Sequence, residues 1–146
     1  MESLIKSFLE DWKKLGVENF NTIQLDNGRF FSPESNQSEL NDCYGHLIPQ
    51  INQKQCFRNS LLASLVIPEL EYWQGFYVTD GIPLPLEHAF NVKDGRVFDF
   101  TCTKFEIKVV EYWGMQIPRE VLEKYMKTEQ HLTALEFYLR NFYKKV

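Results

Sequence analysis

The sequence has few cysteines, no long apolar run and no block of like charge. Its three cysteines in 146 residues are an odd number and too few for a disulfide framework, so reduced thiols are expected. No apolar stretch approaches the roughly 20 residues that span a bilayer, and the N-terminus lacks the basic start and apolar core of a signal peptide. We therefore expect a cytoplasmic protein without a membrane segment, although export by a signal-independent route, as for an effector, would leave no pattern here.

The charge balance argues against nucleic acid as a partner. The formal net charge is −4, and Lys and Arg are scattered apart from the terminal Lys144-Lys145 pair, so no basic patch forms. The chain also lacks internal repeats and a domain linker. Because hydrophobic residues make up 44% of the chain, it can bury a core of its own. We expect a single domain over residues 1–146.

Helices are predicted at both ends of the chain. Residues from Ser3 to Leu15 carry an apolar stripe behind a serine N-cap. Pro118 suits the first turn of a helix that runs from Arg119 to Lys127. A further apolar stripe predicts a last helix from His131 to Lys144.

The middle of the chain has the alternation and turn residues of antiparallel strands. Strands are predicted over Tyr72 to Val78, Leu86 to Val92, Arg96 to Phe100 and Lys104 to Val110. Asp80 to Pro85 is expected to form a turn, and Asp94-Gly95 favours a hairpin. Upstream, a hairpin is predicted from Thr22 to Phe31, with its turn at Asp26-Asn27-Gly28, and a polar loop from Ser32 to Asp42. Helices followed by antiparallel strands and further helices indicate an α+β protein.

A possible catalytic group centres on Cys56, at the predicted start of a helix that runs to Val66 and whose apolar face is expected to carry Phe57, Leu61, Leu62, Leu65 and Val66. A thiol there faces unpaired backbone N–H groups and the positive end of the helix dipole, which favour the nucleophilic thiolate. His88 and Asp99 lie on the two strands of the predicted hairpin, near cross-strand register. A cysteine, a histidine base and an acid that orients the base are the machinery of nucleophilic catalysis. The sequence therefore predicts a Cys56-His88-Asp99 triad.

The segments Gln55-Cys56-Phe57-Arg58-Asn59 and Glu87-His88-Ala89-Phe90-Asn91, followed by Asp99, resemble the papain-like superfamily in its broad sense. That group includes NlpC-type peptidases, transglutaminase-like proteins, arylamine N-acetyltransferases and bacterial effector deamidases. Its nucleophile opens a helix packed on an antiparallel sheet, and the base and acid follow on adjacent strands. The local sequence is similar to small bacterial and phage proteins of the group. No Trp or Gly frames Cys56 as in papain-type proteases.

The resemblance implies that Cys56 is the nucleophile, His88 the base and Asp99 the orienting acid. It also implies an oxyanion hole made by the backbone N–H of Cys56 and a glutamine side chain upstream. Gln50, Gln53 and Gln55 are all available, and Gln53 is favoured. The implied function is thiol-dependent acyl transfer on a protein or peptide amide, without a metal or organic cofactor. Water as acceptor would make the protein a protease, amidase or glutamine deamidase, and an amine would make it a transglutaminase.

Two other interpretations use the same residues. The protein could be a pseudoenzyme or non-catalytic interaction protein, with His88 and Asp99 in structural roles and the aromatic run from Tyr72 to Tyr77 in the core or on a binding surface. Cys43 and His46 have the spacing of a half zinc site that Cys56 or Cys102 would complete. The paired Cys-x-x-Cys halves of common structural zinc sites are missing, which argues against zinc.

Overall fold

A computed structural model describes residues 3–16, 20–33 and 37–142 of the chain. The helices within these ranges are α1 (Leu4–Lys14), α2 (Phe20–Asn27), α3 (Gln37–Tyr44), α4 (Cys56–Val66), α5 (Phe100–Lys104), α6 (Arg119–Tyr125) and α7 (Ala134–Phe142), with a 3-10 helix at Gly45–Gln50. The strands are β1 (Arg29–Phe31), β2 (Glu71–Thr79), β3 (Ile82–Lys93), β4 (Arg96–Phe98) and β5 (Val109–Ile117). Lys144-Lys145 and the end of the predicted last helix lie outside the described residues.

The strands form one antiparallel sheet in the order β1-β5-β2-β3-β4. The central β2–β3 hairpin pairs from Glu71 with Val92 to Thr79 with Ile82. On its far side, β2 pairs with β5, which in turn pairs with β1. Helices from both ends of the chain accompany this sheet. The α+β prediction is therefore confirmed.

Each face of the sheet is buried by a different set of groups. On one face, the ring of Phe31 packs edge-on against Trp73 and Phe90, with ring centroids 4.9 and 5.9 Å away. On the other face, Tyr72 joins a buried cluster with side chains from α6 and α7. Because side chains alternate along a strand, His88 shares the first face with Phe90. This aromatic face holds the candidate site.

The first helix forms as predicted and is fixed to the sheet by a carboxylate. The hydroxyl of Ser3 accepts a hydrogen bond from the backbone N–H of Lys6, which confirms it as the N-cap. Oε1 of Glu111 on β5 accepts from the backbone N–H of Ile5 at 2.7 Å and from the Ser3 hydroxyl at 3.0 Å. An anionic group at a helix N-terminus satisfies free N–H groups and opposes the helix dipole. The N-terminal helix thus gains a fixed position against β5.

The hairpin predicted from Thr22 to Phe31 is wrong. Its first half is helix α2, and its second half, β1, pairs with β5 instead. Gly28 was interpreted as a turn glycine, but a Cβ at this position would lie 2.2 Å from Nε1 of Trp113. The glycine is therefore required by close packing against a distant strand. The loop predicted from Ser32 to Asp42 is also wrong in part, since residues 37–42 belong to α3.

Two strand boundaries also differ from the prediction. The expected strand from Lys104 to Val110 is wrong in its first part, because α5 runs to Lys104 and β5 begins at Val109. The turn expected from Asp80 to Pro85 is limited to Asp80-Gly81, since β3 already begins at Ile82. The Asp94-Gly95 turn is confirmed: Lys93 pairs with Arg96 around it, and both turn residues have positive φ.

Helix α4 begins at Cys56 as predicted, but its buried face is not the expected apolar one. Leu62 and Val66, which were expected to be buried, are 42% and 62% exposed. The buried side is partly polar: the Ser60 hydroxyl donates to the carbonyl of Ala89 at 3.0 Å, and Nδ2 of Asn91 donates to the carbonyl of Ser60 at 2.9 Å. These bonds fix the first turns of α4 against β3, beside His88.

No helix in the described part of the chain has the length and apolar character needed to cross a bilayer.

Candidate active site

His88 and Asp99 form a buried hydrogen-bonded pair. Nε2 of His88 lies 2.7 Å from Oδ2 of Asp99, and the two residues are 2% and 7% exposed. Asp99 is the N-cap of α5, and its Oδ1 accepts a hydrogen bond from the backbone N–H of Cys102 at 3.0 Å. The cap fixes the carboxylate, which in turn fixes one nitrogen of the imidazole.

The contact between His88 and Asp99 was predicted, but the register that was used to predict it is wrong. The last cross-strand pair of β3 and β4 is Asn91 with Phe98. If that register continued, His88 would lie opposite Thr101. Asp99 reaches His88 because the chain leaves the strand after Phe98 and turns into α5. The carboxylate therefore comes from a helix cap, and the strand face predicted for Asp99 is corrected.

Tyr112 provides a further hydrogen bond to Asp99 that the sequence did not predict. Its hydroxyl donates to Oδ2 of Asp99 at 2.9 Å. Burial, followed by the charge of Asp99, raises the pKa of Tyr112 well above its ordinary value of 10.0, so the hydroxyl keeps its proton. Tyr112 belongs to β5. Only the strand pairing, which is non-local, brings this hydroxyl to the carboxylate.

Tyr77 covers one side of the imidazole. Its ring lies parallel to that of His88, with centroids 3.9 Å apart and an interplanar angle of 5°. Tyr77 is paired with Leu86 across β2 and β3, so His88 is its diagonal neighbour on the same face. The stack limits rotation of the imidazole and shields it from water. The aromatic run suggested core packing here, but its alternation gave no reason to place Tyr77 against His88.

The electrostatics favour a charged pair at the site. Burial alone would lower the pKa of His88, but the charge and hydrogen bond of Asp99 outweigh it and raise that pKa well above 6.5. Burial would raise the pKa of Asp99, but the charge and hydrogen bond of His88 outweigh it and lower that pKa below 3.8. Both shifts favour an imidazolium next to a carboxylate over a neutral pair.

Cys56 approaches the same imidazole from the start of α4. It is the first residue of the helix and is half-buried. A side-chain hydrogen bond with Cys56 is among the interactions that raise the pKa of His88. Because Nε2 is bonded to Asp99, Nδ1 is the nitrogen left for a further partner. The predicted pair of His88 and Asp99 is thus in contact, and Cys56 lies close enough to contribute to the pKa of the imidazole.

A second thiol, that of Cys102, lies close to the imidazole. Its Sγ is 3.9 Å from Nε2 of His88. Burial, followed by the charge of Asp99, raises the pKa of Cys102 to about 12, so this group remains a neutral thiol. Since the thiolate is the nucleophilic form, Cys102 is a weak candidate for the reacting cysteine. The sequence did not place it at the site.

His88, Asp99 and Cys102 are also the residues that could hold a metal ion. Their ligand atoms lie within 4.8 Å of one another. A metal there would have to replace the 2.7 Å bond between His88 and Asp99 and remove the proton from Cys102, so the arrangement fits a hydrogen-bonded pair better. Neither Cys43 nor His46 joins a possible metal group within residues 3–16, 20–33 and 37–142.

The approach segment, residues 51–55, leads into α4 and is held in place by the buried side chain of Asn59, about one helical turn after Cys56. Oδ1 of Asn59 accepts from the backbone N–H of Asn52 at 3.2 Å, and its Nδ2 donates to the Asn52 carbonyl at 2.8 Å. The same Nδ2 donates to the hydroxyl of Thr101 at 2.9 Å. Nζ of Lys104 donates to the carbonyl of Ile51 at 2.7 Å. The approach segment is thereby tied to both α4 and α5.

Gln53 lies in the turn just before α4, and its side chain is exposed. It makes no hydrogen bond to another described residue, so its side chain is available to a ligand. The next residue, Lys54, has a φ of 60°, a strained left-handed conformation for a residue with a side chain. The role of Gln53 in an oxyanion hole stays a prediction, as does the choice among Gln50, Gln53 and Gln55.

Comparisons with protein-family models, curated proteins and solved structures gave no match. The chemistry of the site is therefore inferred from its own geometry.

Proposed function

We propose that the protein is a papain-like cysteine hydrolase that transfers the acyl group of a protein or peptide amide through Cys56, His88 and Asp99. One observation carries the proposal: a buried imidazole–carboxylate pair interacts with a thiol at the start of a helix. A fixed, positively charged imidazole is the partner that a thiolate nucleophile needs. The order of the elements, with the nucleophile's helix before the strand of the base, supports the papain-like assignment.

The reaction follows from the roles of the three groups. The thiolate sulfur of Cys56 attacks the amide carbonyl, and a C–S bond forms. The His88 imidazolium gives its proton to the leaving nitrogen as the C–N bond breaks, so an amine or ammonia departs. Water then attacks the thioester while the neutral His88 takes its proton and the C–S bond breaks, which releases a carboxylic acid and restores the thiolate and the imidazolium. Asp99 holds the imidazole in place throughout.

The oxyanion formed during each attack needs hydrogen-bond donors. The backbone N–H of Cys56 lies in the first turn of α4 and has no partner within the helix. The exposed side chain of Gln53 is the second donor in the proposal. Peptide cleavage, side-chain deamidation and transfer to an amine all use this same set of groups. They differ only in the amide that enters and in the acceptor that follows.

Alkylation of the thiols tests the proposal. At mildly acidic pH, we expect iodoacetamide to modify Cys56 much faster than Cys43 or Cys102, because only Cys56 has both a charged imidazole beside it and partial exposure. The variant His88→Ala, checked for folding by circular dichroism, should lose the rapid phase. Peptide mass spectrometry would identify the modified cysteine. Equal rates for Cys56 and the exposed Cys43 would contradict the proposal.

A second candidate function, a pseudoenzyme that binds a partner, is favoured by one observation. The imidazole of His88 is 2% exposed, beneath the ring of Tyr77. A base shielded to this degree suits a structural role as well as a catalytic one. In that case Cys56 would react slowly, and His88→Ala would change the stability of the protein without changing the alkylation rate.

A further inference from the structure

A cavity of about 330 Å³ lies along α4, directly after Cys56. Its wall includes the next two residues of the chain, Phe57 and Arg58. Tyr72, which is 2% exposed, is also in the wall. A volume of this size is at the lower end of the range for small-molecule pockets, about 300–1,000 Å³.

The cavity offers mainly apolar surface to a ligand. The two tyrosine hydroxyls in its wall are already used: that of Tyr72 donates to Oε1 of Gln74 at 2.8 Å, and that of Tyr125 donates to the carbonyl of Leu132 at 2.6 Å. The aromatic rings therefore face the cavity without free polar groups. At its mouth stand Leu62 and Met126, which are 42% and 37% exposed.

One positive charge stands in this wall. Arg58 is exposed and has no hydrogen-bond or ion-pair partner among the residues that the structure describes. A guanidinium beside an apolar cavity suits a ligand that carries a carboxylate next to a large apolar group. The remaining polar member of the wall, Gln130, is exposed and neutral.

We propose that this cavity is the specificity subsite of the Cys56 centre, and that it binds a bulky aromatic side chain of a substrate whose neighbouring carboxylate pairs with Arg58. The inference rests on the proposed function for its link to catalysis. It names the substrate class: an amide of a peptide with an aromatic residue beside an acidic group or a C-terminal carboxylate. The ring enters the space lined by Phe57, Leu61 and Tyr125.

Binding can be measured without catalysis in the Cys56→Ser protein. N-acetyl-phenylalanine is the probe, and its methylamide and N-acetyl-alanine are the controls that lack the charge and the ring. In protein labelled with [methyl-¹³C]methionine, the signal of Met126 should shift on titration with the probe, and that of the buried Met115 should not. We expect about tenfold weaker binding of N-acetyl-alanine, since it buries no ring. Equal shifts with both amino acids would overturn the proposal.

Matched variants locate the binding. Leu62→Glu should weaken binding of the probe at least about tenfold, because an anionic group at the mouth repels its carboxylate. Val66→Glu, one helical turn further along and outside the cavity wall, should leave it unchanged. Arg58→Gln should weaken the probe but not its methylamide, whereas Lys54→Gln should affect neither. Equal effects from Leu62→Glu and Val66→Glu would show a general charge effect and overturn the proposal.

The link to Cys56 is tested in the wild-type protein. N-acetyl-phenylalanine should slow the alkylation of Cys56 by iodoacetamide while leaving that of Cys43 unchanged. If the Met126 signal shifts but Cys56 is not protected, the cavity is a separate site and the subsite assignment fails. If Cys56 shows the rapid, His88-dependent alkylation but Met126 does not shift, the proposed function stands and this inference alone is overturned.

Discussion

The surroundings of Asp99 and of Cys56, the two sides of the candidate site, differ in burial and in hydrogen bonding. On the Asp99 side, the carboxylate accepts hydrogen bonds from His88, from Tyr112 and from the backbone of Cys102, all away from water. On the Cys56 side, the thiol is half-buried, the exposed Gln53 lies three residues before it, and a cavity begins at the next residues. One side is satisfied within the fold, and the other is open to a ligand.

This difference suits the division of work in a thiol enzyme. The base has to keep one orientation and one charge state, so its supporting groups belong in the interior. The nucleophile has to meet a substrate, so it belongs at a surface. We therefore expect changes on the Asp99 side to alter mainly the stability of the fold, and changes on the Cys56 side to alter mainly reactivity.

Removal of the Asp99 carboxylate should have the largest effect on stability. Asp99→Ala leaves a buried histidine without its counter-charge and removes the N-cap of α5, so we expect a loss of about 3–5 kcal/mol in the free energy of unfolding. Urea denaturation followed by circular dichroism measures it. Asp94→Ala, in the exposed hairpin turn nearby, is the control and should cost far less. Comparable losses for the two variants would mean that the buried pair contributes no special stability.

Asn59→Ala should have the next largest effect on stability. The side chain of Asn59 connects the two sides of the site, since it bonds both Asn52 and Thr101. The variant leaves the N–H and carbonyl of Asn52 without a side-chain partner, so a loss of about 1–3 kcal/mol is expected. Hydrogen exchange at the amide of Asn52 should become faster, because the approach segment is no longer tied to α4. Asn52→Ala, which removes an exposed side chain, should do neither. Unchanged exchange in Asn59→Ala would show that Lys104 alone holds the segment.

Local signals in the sequence predicted much of this arrangement, and non-local contacts were missed. Ser3, Pro118 and the Asp94-Gly95 turn act within a few neighbouring residues, so their patterns could be recognised without knowing the fold. The start of α4 at Cys56 and its likeness to a nucleophile helix were also local features. The stack of Tyr77 on His88 depends on the pairing of β2 with β3, and no pattern within a single segment specifies it.

The remaining errors have similar causes. The run Asp26-Asn27-Gly28 has the composition of a turn. Gly28 is nevertheless required for another reason, since a side chain there would clash with Trp113, which lies far along the chain. The hydroxyl of Tyr112 reaches Asp99 only after β5 has joined the sheet. Leu62 was assigned to a buried face because it is apolar, whereas polar Asn59 and Ser60 occupy that face with their hydrogen bonds satisfied inside the fold. The periodicity of apolar residues does not predict which polar groups are buried at a site.

The pH dependence of stability should report the charge on His88. Because its pKa in the folded state lies above 6.5, the native protein holds a proton that the unfolded chain releases. The charged His88 therefore stabilises the folded protein fully below pH 6.5, and this stabilisation is lost as the pH rises through the folded pKa. The free energy of unfolding should fall with a limiting slope of about 1.4 kcal/mol per pH unit. His88→Gln should lack this slope in urea denaturation at several pH values. The same slope in both proteins would assign the titration to another group.

Asp99 should act in the opposite direction at low pH. Its pKa in the folded state is below 3.8. The contribution of Asp99 to the free energy of unfolding is therefore complete above pH 3.8 and is lost as the pH falls through the folded pKa. The stability of the wild-type protein should therefore be greatest between the two transitions. Asp99→Asn should remove most of the acid limb, and acid titration followed by circular dichroism measures it.

Cys56→Ser should have the smallest effect on stability, and its contrast with Cys102→Ser tests the difference between the two sides of the site most directly. Cys56→Ser replaces a half-buried side chain that has solvent on one side, so we expect the free energy of unfolding to change by less than about 0.5 kcal/mol. Cys102→Ser places a hydroxyl in the buried aromatic cluster, which should cost about 1–3 kcal/mol. Reactivity should follow the reverse order: rapid alkylation should disappear in Cys56→Ser and persist in Cys102→Ser, as measured by mass spectrometry of each folded variant.

Equal losses of stability, with alkylation no faster at Cys56 than at Cys43, would make Cys56 a packing residue. In that case both sides of the site would have structural roles, and the pseudoenzyme would be the better description of the protein.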